Sequence, residues 1–248
     1  MLSVIIIVRN EAENIQRCLE SIKWVDEIII VDSGSTDNTI ELAKPYTEHI
    51  YREDWQGYGV QKQRALEKAT GDWILNIDAD EVVTDALKDQ IQKAISSNQY
   101  QAYQIPIRLV FYQKILRYTL SPTKRVRLFQ RADASYTPAI VHESILLPKN
   151  SQVGQLTFPI LHFSYRDLTE ALAKMNLYSS SSALIRDQKN KSKPSFIKVG
   201  LSAIWMFFRN YVLQRWFLDG KEGLLFAFLS AESAFYRGMK QLYPDSAP

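Results

Sequence analysis

The first hundred residues alternate between two hydrophobic rhythms. Leu2 to Val8 and Glu27 to Val31 are almost continuously apolar, as strands covered on both faces of a parallel sheet are. Between them Ile15, Leu19 and Ile22 recur at helical spacing, so Glu11 to Ile22 reads as a helix with Asn10 as its N-cap. A short helix over Asn38 to Ala43, a weaker strand over His49 to Arg52 and a helix over Val60 to Ala69 follow. Gly71 stops that helix, Asp72 to Ile77 is a fourth strand, and Thr84 to Ser96 is helical again. Strands alternating with helices predict a doubly wound α/β sheet with right-handed crossovers.

After Gln99 the rhythm changes. Ala102 to Phe111 and Lys124 to Gln130 read as antiparallel strands, with alternation in Arg125-Val126-Arg127-Leu128. Leu156 to Phe163 is one more apolar segment. From Asp167 to Arg186 the pattern is helical, and Asp187 to Pro194 is a polar, basic break before an aromatic-rich helical tail. The expected organisation is a mostly parallel sheet with antiparallel additions over residues 1–165, split near residue 100, and a helical appendage over 166–248.

Composition narrows this. At 46% apolar and 23% charged residues, 248 residues supply a sizeable core and exclude global disorder. The single Cys18 excludes an internal disulfide framework, fits a reducing compartment, and falls on the apolar face of the first helix. Met1 leads straight into the first apolar run with no basic segment before it, so that run is expected to be a strand, not a leader. Charge is unevenly shared: Met1 to Gln90 carries nine basic and eighteen acidic residues, and the remainder twenty-one basic and nine acidic. An acidic front suggests a metal site and a basic back an anionic partner.

The candidate chemistry stands where strands end. Trp73 to Ile77 runs out into Asp78-Ala79-Asp80-Glu81, and the second strand into Asp32-Ser33-Gly34-Ser35-Thr36-Asp37. Both turns follow strands of one parallel set and so lie on the same sheet edge, where ligands of open α/β sheets bind. Two carboxylates one residue apart can share a hard divalent ion with a phosphate. Asp32 can accept hydrogen bonds from a base or ribose, and the backbone N–H groups of Ser33 to Thr36 can face an anion. Neither a Gly-x-Gly-x-x-Gly fingerprint nor a Gly-Lys-Ser/Thr loop is present.

Ser3 to Glu11, Val31 to Thr39 and Asp78-Ala79-Asp80 come in the order and spacing of the family 2 glycosyltransferases of the GT-A fold, which the first hundred residues resemble. Trp55-Gln56-Gly57-Tyr58-Gly59-Val60-Gln61-Lys62-Gln63, Val141-His142-Glu143 and Phe217-Leu218-Asp219-Gly220-Lys221 with Gly223 resemble a subgroup, the lipopolysaccharide inner-core β-glucosyltransferases. The resemblance implies a GT-A catalytic domain over residues 1–165, its nucleotide-sugar half about 1–100 and its acceptor half about 101–165. It implies an inverting hexosyl transfer from a UDP-sugar, with glucose as the first candidate. Asp32 and Ser33 would hold the nucleoside, Asp78 would contact the ribose or, through water, the metal, and Asp80 would ligate Mn2+ or Mg2+ on the diphosphate. Lys62 stands where related enzymes often carry arginine, so its expected phosphate role departs from the family pattern. Glu143 is the expected base for the acceptor hydroxyl, with Glu81 as rival and His142 as a neighbour that could orient it. His162 is a candidate further metal ligand.

The tail points to the acceptor. Arg186 to Lys221 carries eight basic and two acidic residues interleaved with Phe196, Ile197, Leu201, Ile204, Trp205, Phe207 and Phe208. The uncharged stretch Val199 to Phe208 is about half of a membrane span. Helices of this kind lie in a membrane interface, so a peripheral position on the inner face of the cytoplasmic membrane is expected, with a lipid-linked or lipopolysaccharide-core acceptor bearing phosphates. No recognised nucleic-acid motif is present, so nucleic acid is not an expected partner. Two rivals remain: a non-catalytic nucleotide-sugar-binding protein on the same fold, against which Asp78, Asp80 and Glu143 argue, and a nucleotidyltransferase, which would want a glycine-rich loop where Arg9-Asn10-Glu11 stands.

Overall fold

Unbroken apolar runs place β1 (Leu2–Val8) and β2 (Glu27–Asp32) side by side in the interior of a sheet, paired in parallel from Ser3 against Glu27 to Val8 against Asp32. The one polar residue inside β1, Ser3, is fully buried and donates to Glu27 while accepting from the Gly71 N–H at 2.9 Å. The computed structural model describes residues 1–120, 124–139, 144–188 and 193–243. The chain forms two units, Met1–Ile107 with Thr123–Phe163, and Arg108–Pro122 with Ser164–Pro248.

In the first unit α1 (Ile15–Ile22), α2 (Thr39–Ala43) and α3 (Tyr58–Lys68) alternate with β2, β3 (Ile50–Arg52) and β4 (Trp73–Asn76). A short strand β5 (Glu81–Val83) precedes α4 (Asp85–Ser97), which Thr84 caps by accepting from the Leu87 N–H. Then come β6 (Ala102–Phe111), β7 (Lys114–Ile115), β8 (Lys124–Gln130), the hairpin β9 (Ser135–Tyr136) and β10 (Ile145–Leu146), β11 (Val153–Gln155) and β12 (Ile160–His162). The strand order is β3-β2-β1-β4-β8-β6-β12-β5. β1 to β4 are parallel; β8 runs antiparallel to both β4 and β6, and β12 antiparallel to β5. The predicted α/β class holds, and so do the antiparallel additions after residue 100.

Two local expectations are corrected. The first helix begins at Ile15, not Glu11, and Asn10 does not cap it. Asn10 takes φ +56° and turns its carboxamide across to the next loop, where its Oδ1 accepts from the Thr36 N–H at 2.8 Å. β5 was not anticipated: Glu81 reads as the end of an acidic turn, yet it opens a strand because β12 supplies the pairing partner. Cys18 is fully buried beside Ile15, Leu19 and Ile22 against the sheet, as expected.

The second unit is a helical assembly of α5 (Leu168–Gln188), α6 (Phe196–Phe208) and α7 (Lys221–Leu242). Leu109, Phe111, Leu116, Ala171, Trp216, Phe226 and Leu229 form its core. α6 and α7 approach closely because Gly238 leaves room for Val199; a Cβ there would lie 2.6 Å from Val199 Cγ2. Asp219 ties the loop after β7 to this hairpin: its carboxylate accepts from the N–H groups of Arg117, Tyr118 and Thr119 at 2.7–3.0 Å. The expected helical tail is therefore a folded three-helix unit.

Candidate functional site

The apolar run of β4 stops at Asn76, and the three acids beyond it diverge in partner and burial. Asp78 is flanked by two cations, Lys62 Nζ at 3.2 Å and Arg127 Nη2 at 2.8 Å. The same Arg127 nitrogen lies 2.7 Å from Glu81 Oε1, and the other Glu81 oxygen accepts from the Asp78 N–H at 2.8 Å. Lys62, Arg127 and Glu81 are all buried. Burial acts to raise the Asp78 pKa, but the Arg127 and Lys62 charges outweigh it and hold the carboxyl well below the usual range. Glu81 sits deeper. Burial pushes its carboxyl up to about 7, the Asp78 charge adds to this, and Arg127 opposes it.

Asp80 points the other way, to β12. His162 Nε2 stands 3.0 Å from Asp80 Oδ2, and the Phe163 N–H donates to the Asp80 carbonyl at 2.9 Å. The antiparallel register that pairs His162 with Glu81 makes this meeting possible. Burial alone would lower the His162 pKa, but the hydrogen bond and charge of Asp80, with Glu81 and Asp78 behind it, raise it. Arg17 from α1 lies over the Phe163 ring at 3.7 Å. Both side chains of the pair remain partly open, 23% for Asp80 and 31% for His162. A carboxylate with an imidazole fits a Mn2+ ion, and a carboxylate with waters fits Mg2+. Among the described residues no third His, Cys, Asp or Glu completes a cage. The donor set therefore suits an ion that shares its shell with phosphate and water.

The turn after β2 departs from expectation in its donors. The Ser33 N–H donates to the Val8 carbonyl, the Ser35 N–H to Asp32 at 3.0 Å and the Thr36 N–H to Asn10. These three groups are committed, so the turn does not present them to an anion. Its role is to fix Asp32, which is buried and also accepts from Ser35 Oγ at 2.6 Å. Gly34 at φ +88° lets the chain turn there. Asp32 and Ser35, with Glu41 of α2, Glu48, and Ile50 and Arg52 of β3, line a cleft of about 690 Å³.

α3 carries the supporting contacts. Gln61 donates to Ser33 Oγ at 2.9 Å and to the Asp54 carbonyl at 2.8 Å, Lys62 reaches Asp78, and Gln63 accepts from the Tyr136 N–H at 2.8 Å. Gly59, at the start of α3, packs so closely that a Cβ would overlap the Thr137 carbonyl oxygen. The structure thus brings Asp78, Lys62 and Glu81 together, sets Asp80 against His162, and keeps Asp32 and Ser33 in the adjoining loop. His142 and Glu143 lie outside the described residues.

Residues 3–146 match the family model described as glycosyl transferase family 2. The chain belongs to glycosyl transferase family 2. This family 2 chain is 33% identical over 250 residues to an "uncharacterized glycosyltransferase" of Rickettsia bellii, covering 95% of this chain and 84% of that one. It is 31% identical over 265 residues to the lipopolysaccharide core biosynthesis glycosyltransferase LpsC of Rhizobium meliloti, covering 98% of this chain and 95% of LpsC. Among solved structures it is similar to S. aureus TarS 1–349 in complex with UDP-GlcNAc, at TM-score 0.49 and 16% identity, over 94% of this chain and 81% of that one.

One residue of this family 2 site escapes sequence reasoning altogether. Arg127 is a single basic residue in an alternating strand, where a solvated face is the ordinary reading. The available signal was weak: the alternation puts Arg125 and Arg127 on one face, and an antiparallel neighbour of β4 would turn that face toward the acids. Gln61 and Gln63 were visible only as a departure from the family pattern. The structure shows them as the hydrogen-bonding flanks of Lys62.

Proposed function

We propose that this chain is an inverting, metal-dependent hexosyltransferase that moves glucose from UDP-glucose onto a lipid-linked glycan of the lipopolysaccharide-core type. The observation that carries the reading is the division of labour at the end of β4: Asp78 is neutralised by Lys62 and Arg127, while Asp80 stands free of them beside His162. In this reading Asp32 and Ser35 hold the base and ribose in the cleft at the end of β2. Asp78 accepts from a ribose hydroxyl, its orientation set by the two cations. Asp80 and His162 would hold Mn2+ or Mg2+, which when bound supplies Lewis-acid neutralisation of the diphosphate leaving group. Lys62 stays paired with Asp78, so its service to phosphate is the local positive field.

The acceptor hydroxyl oxygen attacks the anomeric carbon, the bond from that carbon to the diphosphate oxygen breaks, and the hydroxyl proton goes to a base. Glu81 is ill placed for this, because it is buried and both of its oxygens are engaged by Arg127 and the Asp78 N–H. Glu143 is the base in this reading. Support for the acceptor comes from LpsC, whose name assigns it to lipopolysaccharide core biosynthesis. The α6 surface supports a membrane location: Ile197, Leu201, Ile204, Trp205 and Phe208 recur on one exposed helical face. The helical rod Phe196–Leu213 has 18 residues and is apolar enough to cross a membrane, longer than the uncharged run alone suggests. Its other face packs on α7, which favours a helix lying in the interface on the cytoplasmic side.

Calorimetric titration of UDP-glucose, UDP-galactose, UDP-N-acetylglucosamine and GDP-mannose tests the donor site. One UDP-sugar should bind with Mn2+ and not after chelation, and Asp80→Ala should weaken it by on the order of 100-fold. Glu143→Gln should keep that binding and lose transfer. No nucleotide sugar binding with metal present would overturn the assignment.

A further inference from the structure

The helical unit holds a cleft of its own, about 480 Å³, lined only by residues of that unit. One wall is where α6 changes pitch, passing without a break into a π-helical turn, Arg209–Leu213. Such turns are rare and occur at functional sites, because the extra residue re-aims a side chain. The one buried residue of this turn is Asn210, a polar side chain. Asn210 Oδ1, Trp216 Nε1 and Arg237 Nε are buried without a hydrogen-bond partner, and all three residues line the cleft. Buried orphans of this kind are costly in a folded protein. Three lining one cleft mark a place where binding can return what folding left unmade.

The charge of the cleft is one-sided. Arg209 and Arg237 line it and no carboxylate does among the described residues. Burial and the like charge of Arg186 both lower the Arg237 pKa, so this guanidinium sits in a field that an anion would relieve. Met175, Met206, Phe226 and Leu229 form the apolar side, and methionines adapt readily to chains of varied shape. The volume suits a phosphorylated head with a few methylenes.

We propose that this cleft binds an anionic amphiphile, its phosphate group against Arg209, Arg237 and Trp216, a hydroxyl donating to Asn210, and its hydrocarbon against Met175, Met206 and Phe226. As the seat of the acceptor's lipid-phosphate portion it rests on the transferase reading; as a binding site it rests on the cleft alone.

The test uses the full chain and dihexanoyl phosphatidic acid below its micelle concentration, followed by calorimetry. Saturable binding at one site is the expected result, with inorganic phosphate and dihexanoyl phosphatidylcholine each weaker by about tenfold or more. Arg237→Gln should weaken phosphatidate binding by about tenfold. Ser233→Phe, which fills the cleft and removes no charge, should abolish it. Both variants should keep the far-ultraviolet helical signal of wild type, which shows that the helical unit folds, and should bind the UDP-sugar as wild type does. Absent phosphatidate binding, or binding unchanged in both variants, overturns the proposal. Phosphate binding as tightly as phosphatidate overturns the amphiphile assignment. Loss of UDP-sugar binding in wild type with phosphatidate binding intact would instead remove the donor-site reading.

Discussion

A guanidinium shared between two carboxylates sets the charge balance at the end of β4. Arg127 is 5% exposed and Glu81 1%, so neither charge is screened by water. Removing one partner of such a buried group leaves the others unpaired, which costs about 3–5 kcal/mol, more than the pair itself contributes to stability. Arg127→Met should therefore lower the unfolding free energy by that amount in urea denaturation. Glu81→Gln added to it should restore part of the loss only above neutral pH, because burial already favours the neutral Glu81 carboxyl once Arg127 is gone. Full stability in Arg127→Met would mean that Asp78 and Glu81 do not depend on the guanidinium. UDP-sugar affinity should fall as well in Arg127→Met, since Asp78 loses one of its two anchors.

At the scale of elements, two sequence motifs turn out to be joints. The start of α3 needs Gly59 for close approach to the segment at Thr137, and its Gln61-Lys62-Gln63 run distributes one contact each to the β2 turn, the β4 acids and β9. The Asp219 motif does the same work in the helical unit. Gly223 leaves no room for a side chain against the Trp216 carbonyl oxygen, and Lys114 pairs with Glu222 at 2.7 Å. Burial acts to raise the Asp219 pKa, but three backbone N–H groups hold it below its ordinary value. A carboxyl with a depressed folded pKa contributes stability that is complete above its unfolded value, about 3.9, and is lost as pH falls through the folded value. Asp219→Asn should cost about 1–3 kcal/mol at neutral pH, because an amide NH2 then faces an N–H donor. That gap should shrink below about pH 4. An unchanged gap at low pH would show that the carboxylate charge is not what holds the loop.

For the whole molecule, the charge division along the chain acquires a physical sense. The acid-rich first ninety residues supply the carboxylates of the strand-end site, and α6, which lies in the basic remainder, carries an exposed apolar face. Ile197 at 72% and Ile204 at 69% exposure are too open for a face whose role is internal packing. Burial of one such side chain contributes about 1.5–3 kcal/mol, which is tenfold or more in partitioning. Ile204→Glu should therefore weaken sedimentation with phosphatidylglycerol vesicles by at least about tenfold, and raised salt should weaken wild type through its lysines and arginines. UDP-sugar binding should be untouched. Equal vesicle binding by wild type and Ile204→Glu would remove the interface role from this face.

The sequence by itself determined what is local and periodic. Short continuous apolar runs between helical repeats read as strands covered on both faces, which placed Asp32 and Asp78 after strands, and Asp78-Ala79-Asp80 kept a spacing that needs no partner to be recognised. The helical character of the tail was equally legible from its aromatic and aliphatic repeat. Tertiary structure decided what depends on pairing between distant segments. β8 runs antiparallel beside β4, and only that choice brings Arg127 across 49 residues to Asp78. The β5–β12 register brings His162 across 82 residues to Asp80. The π turn that buries Asn210 depends on what α6 packs against. Such contacts follow from register and packing, which no window of sequence contains, and they decide which of the three acids at the end of β4 is neutralised by cations and which stands beside His162.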